Sequence, residues 1–150
     1  MKTTKLKKPV SLPKLKAKAL KLYSDLVKLR AAIEGKLISF TCQCTLELNS
    51  SNTHLGHYLS RGAYPGLTFH PDNSRPQCYR CNCHLHGATV EFRERLICEI
   101  GIERVEFMEG SRHVSVKWGR SDFHSMIDEF TGEIKQLNQI DLNEVAHKYF

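Results

Sequence analysis

The residue types able to bind a metal or move a proton gather between Gly56 and Gly87. That stretch opens with Gly56-His57-Tyr58-Leu59-Ser60-Arg61-Gly62. It closes with Asp72-Asn73-Ser74-Arg75-Pro76-Gln77-Cys78-Tyr79-Arg80-Cys81-Asn82-Cys83-His84-Leu85-His86-Gly87. Phosphodiester hydrolysis needs a base that takes a proton from water and a cation that stabilises the charge on the leaving oxygen. His57, at the end of an expected short strand, is the candidate base. Asn82 follows Cys81 at once, on the first turn of an expected helix, and offers an amide oxygen suited to a hard ion such as magnesium or manganese. His86 lies four residues on and shares that helical face. Singly these residues say little, since a lone histidine is usually a surface or core residue and Asn73 serves a turn equally well. The order His, Asn, Cys-x-x-Cys-Asn is far more specific.

The cysteines divide the same way. Cys78 and Cys81 form a two-residue-spaced pair, and Cys42 and Cys44 form a tighter one 34 residues earlier. Four thiolates in two knuckles are what a structural zinc site needs. Cys83 is the substitute if the tight knuckle supplies only one thiolate. The alternative is that some of these are inert thiols, the preferred reading for Cys98 in its apolar helix. Disulfides are disfavoured because the N-terminus lacks the apolar core of a signal peptide and no apolar run is long enough to span a membrane. The chain is therefore expected in a reducing cytoplasm, where paired cysteines bind metal.

Charge separates the chain into two parts. Residues 1–36 carry eleven Lys or Arg against Asp25 and Glu34, a net +9, whereas the remaining residues sum to −3. A basic arm on a near-neutral body suits phosphate neutralisation; a solvated tail is the plain alternative. With 41% hydrophobic residues in 150, one compact domain can bury a core.

The elements that must position the site follow from periodicity. Residues 1–12 read as a flexible basic tail and 13–150 as a single domain. Leu15, Ala19, Leu22, Leu26 and Leu29 mark an amphipathic helix over 13–35, stopped by Gly35. Lys36 to Leu48 reads as β around a Cys42-Gln43-Cys44 turn, Thr53 to Tyr58 as a further strand, and Ser60 to Pro76 as a loop. A short helix follows Cys78 and ends near Gly87. Thr89 caps a helix that closes at Gly101, and a continuation stops at Gly110. Val114 to Trp118 alternates without a clear type, Ser121 opens another helix, and Asp141 with Glu144 marks the start of a last one. The class is α+β, with a core over 36–88 and a helical part over 89–150.

At this point the sequence resembles a known family, the HNH (ββα-metal) endonucleases, and among them the NinG/Rap recombination proteins of lambdoid phages. Pro13-Lys14-Leu15-Lys16 through Val27-Lys28-Leu29-Arg30 is similar to that family's N-terminal helix. Gly56-His57-Tyr58, Ser60-Arg61, Asn73, Pro76-Gln77-Cys78, Cys81-Asn82 and Gly87 match its central motif, and Arg95-Leu96-Ile97 with Ile100-Gly101 the helix behind it. The resemblance implies a ββα-metal core stapled by structural zinc, flanked by the basic helix and C-terminal helices. It implies a nuclease acting on branched double-stranded DNA, including Holliday junctions, in phage recombination. His57 would be the general base, Asn82 a ligand of the catalytic magnesium or manganese, and Asn73 the residue that holds the loop carrying the base. Four departures stand out: Gly56 where many HNH enzymes have a metal-binding acid, His54 where NinG-like sequences have one, Cys42-x-Cys44 where the family's first cysteine pair is two-spaced, and Ala88 in place of an asparagine. Histidine in the acid's place shifts preference away from magnesium.

The expected site therefore comprises His57, Asn73 and Asn82, with His54 or His86 completing the catalytic ion's shell and His84 a further candidate. Arg61, Arg75, Arg80, Lys14, Lys18 and Lys21 are the expected DNA contacts, each equally able to form a surface ion pair. Symmetric junction cleavage makes a homodimer attractive, with the C-terminal apolar helices as its interface. The alternative function is a non-catalytic zinc-containing nucleic-acid-binding or adaptor protein, which would need the cysteines and the basic arm but neither His57 nor Asn82.

Overall fold

The computed structural model describes residues 9–149, with side chains through residue 139. Helix α1 (Leu12–Ala31) starts with Pro13 in its first turn, where the missing N–H costs nothing, and buries Leu15, Ala19, Tyr23 and Leu26. It ends four residues before Gly35. Glu34 and Gly35 both take positive φ, 51° and 75°, and turn the chain between Ile33 and Lys36, which bridge each other. Gly35 is thus a hairpin-type turn residue rather than the helix stop expected from sequence. The expected tail at residues 1–8 lies outside the described residues, and 9–12 run into α1.

Two small antiparallel ribbons follow. β1 (Lys36–Ile38) pairs with β2 (Thr45–Glu47), Leu37 opposite Leu46, and the turn between them carries Cys42 and Cys44. β3 (Thr53–His57) pairs with β4 (Ser74–Cys78), Thr53 opposite Cys78 and His57 opposite Ser74. β4 lies where a loop was expected. Its Pro76 disguises it, since proline cannot donate to a ladder and is confined to ribbons with a free edge. Its carbonyl is nonetheless used, accepting from the Phe40 N–H at 2.8 Å.

After Cys78 the backbone makes a single π-turn, Arg80–His84, in place of a regular helix. His86, Gly87 and Ala88 then take φ of 49°, 91° and 47° in succession. His86 therefore lies outside the turn and not on a shared helical face with Asn82. Position 88 needs left-handed backbone, which asparagine adopts more readily than alanine; that is a backbone reason for the asparagine usual there. Ala88, and not Thr89, is the N-cap of α2 (Thr89–Ile100), and Gly101 separates α2 from α3 (Ile102–Ser111). Val114 to Trp118 forms no strand. α4 (Arg120–Tyr149) runs unbroken through Asp141, where a new start was expected. A capping signature needs a preceding breaker, and 133–140 contains none.

Three packing groups hold these parts. Leu15 and Ala19 of α1 meet Phe123 and Ile127 of α4, with Tyr23, Leu26 and Phe130 one turn on. The apolar stripe of α4 from Phe123 to Leu137 is thus packed against α1 within the same chain. Phe92, Leu96, Val105 and Met108 of the α2–α3 hairpin close over Leu67, Phe40 and Tyr58. Leu37, Leu46, Cys78, Cys81 and Ala88 form the small buried apolar cluster around the knuckles. Cys98, expected inside, is exposed. No described helix is long and apolar enough to cross a membrane.

Candidate functional site

The thiols come together as the spacing predicts. Cys42, Cys44 and Cys78 offer sulfurs within 4.8 Å of one another, with Cys42 to Cys44 at 3.3 Å and Cys42 to Cys78 at 3.6 Å. Cys81 stands beside them, its backbone N–H donating to Cys78 Sγ at 3.4 Å, but its thiol is not among the three sulfurs that close on one another. Tetrahedral thiolates 2.3 Å from zinc would stand about 3.8 Å apart, so the cluster can hold zinc with little movement. Burial opposes ionisation of Cys42. Hydrogen bonds from the Ser39 hydroxyl, the Cys44 backbone and the neighbouring thiols outweigh it and lower its pKa to about 6. Cys44 is pushed up to about 12, by loss of water around its sulfur and by the Cys42 hydrogen bond and charge. A divalent cation lets such thiols ionise as it binds. Both sulfurs of the tight knuckle join the cluster, and Cys83 is not part of it.

His57 ends β3 with Nε2 2.9 Å from the Thr68 carbonyl. A carbonyl only accepts, so Nε2 carries the proton and Nδ1 is left with the lone pair. Burial, together with the charge of Arg61, lowers its pKa to about 4 despite the Thr68 bond. The ring is therefore neutral at pH 7. Its carbonyl partner was not legible in sequence, because Thr68 lies in a loop of 3-10 turns.

Asn73 is fully buried and pins that loop. Its Oδ1 accepts from the Leu59 N–H at 2.8 Å, and its Nδ2 donates to the carbonyls of Leu59 at 2.9 Å and Leu67 at 3.1 Å. It fixes the loop that follows His57 and has no polar atom of its side chain left unbonded. Asn73→Ala removes all three bonds, at roughly 1 kcal/mol each. Urea unfolding should therefore show a loss of about 3 kcal/mol, with faster amide exchange across residues 59–67; unchanged exchange there would refute the pinning role.

His57, Arg61, Asn82 and His86 line one open cleft of about 510 Å³, together with Leu55, Ser60, Gly62 and Gly87. Asn82 also reaches His54, Nδ2 to Nδ1 at 3.3 Å. His84 instead packs edge-on against Tyr79, ring centres 5.1 Å apart, and is not in the cleft lining. Of the expected DNA contacts, Arg61 and Arg80 are exposed, as are Lys14, Lys18 and Lys21 on α1, although Lys21 pairs with Asp25 at 2.7 Å. Arg75 is different. It forks onto Glu99, donates to the carbonyls of Pro71 and Ser74, and lies over the Phe40 ring. It is a structural clamp.

Other clamps were also missed. Tyr58, beside the base, donates to Glu109 at 2.6 Å, and Arg93 holds the same carboxylate. Arg95 donates to the Thr41 carbonyl, tying α2 to the first knuckle. Gln77, buried in β4, donates to Thr41 Oγ1 and to the Gly87 carbonyl. Each appears in sequence only as a polar residue beside apolar ones.

A family model described as "Bacteriophage Lambda NinG protein" matches residues 2–141. The protein ninG of Escherichia phage lambda is 34% identical over 90 residues, 60% of this chain and 44% of that protein. That of Salmonella phage P22 gives the same figures, and that of Enterobacteria phage H19B is 38% identical over 77 residues, 51% of this chain and 38% of its own. The chain thus matches less than half the length of each of these relatives. No solved structure matches it. The family match takes in Cys42, Cys44, Cys78 and Cys81, the cleft and most of the helical frame, and the chain belongs to the NinG family.

Proposed function

We propose that this chain is a metal-dependent, structure-selective DNA endonuclease on the HNH (ββα-metal) plan, cleaving Holliday junctions or other branched DNA in phage recombination inside the host cytoplasm. The observation that carries the reading is His57. It is held neutral with its Nδ1 lone pair unspent, in one cleft with the amide of Asn82 and the guanidinium of Arg61. In this reading β3, β4 and the π-turn are the two strands and the helix of the plan.

His57 takes the proton of the attacking water. Approach of the phosphate anion raises its pKa towards the working range, since a nearby opposite charge favours imidazolium. Arg61 neutralises the phosphate with a fork that fits two of its oxygens, and Asn73 keeps the loop behind His57 fixed. Asn82, with His54 or His86, would hold a divalent magnesium or manganese ion, whose charge would stabilise the leaving oxygen. The exposed lysines of α1 add sequence-independent attraction to the backbone. The substrate class rests on the family resemblance.

One observation favours the second reading, a zinc module that binds DNA without cutting it: the residues lining the cleft include no carboxylate. Cleavage of synthetic four-way, flapped and linear DNA with magnesium, manganese or EDTA separates the two. His57→Ala should slow metal-dependent cleavage by about 10²–10⁴-fold while junction binding and the melting temperature stay as they were. Full cleavage by that variant would remove His57 from the mechanism; no cleavage of any substrate with any metal would leave the binding reading.

A further inference from the structure

Cys83, outside the thiol cluster, faces a different partner. Its Sγ lies 3.9 Å from His54 Nδ1, and His54 Nδ1 lies 3.3 Å from the Asn82 amide. The Asn82 amide is in turn 4.0 Å from Cys83 Sγ. The His54 ring is fixed from behind, since Nε2 sits 3.1 Å from the Ser51 carbonyl. That contact protonates Nε2 and leaves Nδ1 as the lone-pair nitrogen, the arrangement in which a histidine binds a metal. The geometry points to a second metal site, made by His54 Nδ1, Cys83 Sγ and the side-chain oxygen of Asn82, that takes a borderline-soft divalent cation of the zinc or cobalt class in preference to magnesium.

The distances fit. Ligand bonds of about 2.0–2.1 Å to nitrogen or oxygen and 2.3 Å to sulfur, at tetrahedral angles, separate nitrogen from sulfur by roughly 3.6 Å and nitrogen from oxygen by roughly 3.4 Å. Rotating the Asn82 amide by half a turn brings Oδ1 to the place of Nδ2, a change that costs one weak contact to His54. The chemistry fits as well: imidazole and thiolate suit zinc-class ions, whereas magnesium prefers carboxylate and water. Binding displaces the Cys83 thiol proton to solvent. Cys83 is exposed, so an ion can reach it. Asn82 belongs both to this set and to the cleft of His57, which puts the ion beside the proposed base. The inference rests on the proposed reading in treating Asn82 and His54 as metal ligands; it adds Cys83 to that set and changes the class of ion the set prefers.

The test uses the full chain with Cys98→Ser as background, loaded with one equivalent of zinc and titrated with cobalt(II). The staple keeps zinc, which binds more tightly than cobalt. A thiolate-to-cobalt absorption band should grow to about one equivalent. Cys83→Ser should abolish the band, and His54→Ala should weaken cobalt binding by at least about 10-fold, both with one zinc and an unchanged melting temperature. A wild-type chain with no band, or a Cys83→Ser chain with the same band, would overturn the site. Junction cleavage by the same proteins keeps the two ideas apart. Magnesium-dependent cleavage without a cobalt band would sink the site and leave the nuclease standing. A Cys83-dependent band with no cleavage under any metal would do the reverse.

Discussion

Cys78→Ser should cost the chain its zinc and melt residues 36–88. Cys78 joins every part of that segment. It pairs with Thr53 across the second ribbon, and its N–H donates to the Ser39 hydroxyl at 3.0 Å. Its sulfur sits 3.6 Å from Cys42 and accepts from the Cys81 N–H. The buried apolar cluster at the knuckles is small, Leu37, Leu46 and Ala88 beside Cys78 and Cys81. Two-stranded ribbons are marginal in water by themselves, and segments this small ordinarily need a metal or disulfides. Zinc binding at such sites is worth about 10–16 kcal/mol, as much as the whole stability of an ordinary domain, about 5–15 kcal/mol. Metal analysis should find no tightly held zinc in the variant, and amide protection should vanish over both ribbons. The α1–α4 pair, which has its own core in Leu15, Ala19, Phe123 and Ile127, should stay helical. A zinc-free variant with the wild-type melting temperature would show that the thiols are not a staple.

Gly56→Asp should destabilise the fold and build no magnesium site. Many HNH enzymes carry a metal-binding acid just before the base, so placing one here looks like a repair. A Cβ at position 56, however, would lie 2.1 Å from Gln77 Oε1 and 2.6 Å from its Cδ. Gln77 is completely buried, and its amide holds Thr41 and the Gly87 carbonyl. Moving it aside breaks two hydrogen bonds as well as forcing the strand, together about 3–4 kcal/mol, and aspartate adds the desolvation of its charge. Gly56→Ala isolates the steric part. Combining Gly56→Ala with Gln77→Ala should cost less than the two single losses added, with a coupling above about 1 kcal/mol in denaturant unfolding. An aspartate variant that melts like the parent and gains magnesium affinity would contradict this.

The two variants show where sequence reasoning reached and where it stopped. The cysteine pairs announced their own meeting because thiolates at such spacing have few other uses in a reducing environment. The helices were legible because Leu15, Ala19 and Leu26, or Phe123, Ile127 and Phe130, repeat at helical steps. β4 was not legible. Its Ser-Arg-Pro-Gln-Cys has poor strand propensity, and it is extended because β3 and the Phe40 N–H pair with it. Arg75 looked like a phosphate contact because an arginine's type says nothing of whether a Glu99 will stand beside it.

The sequence by itself determined the donors: four cysteines in two closely spaced pairs, His57, and Asn82 directly after Cys81. Those are properties of residue type and local spacing. The tertiary structure decided what each donor faces. It gave His57 a carbonyl eleven residues away, which selects the lone-pair nitrogen. It packed Gln77 where a side chain at position 56 would go, and it set Cys83 against His54 across 29 positions. A side chain's protonation, tautomer and partner depend on groups brought near by the whole fold, and no local window of sequence contains them.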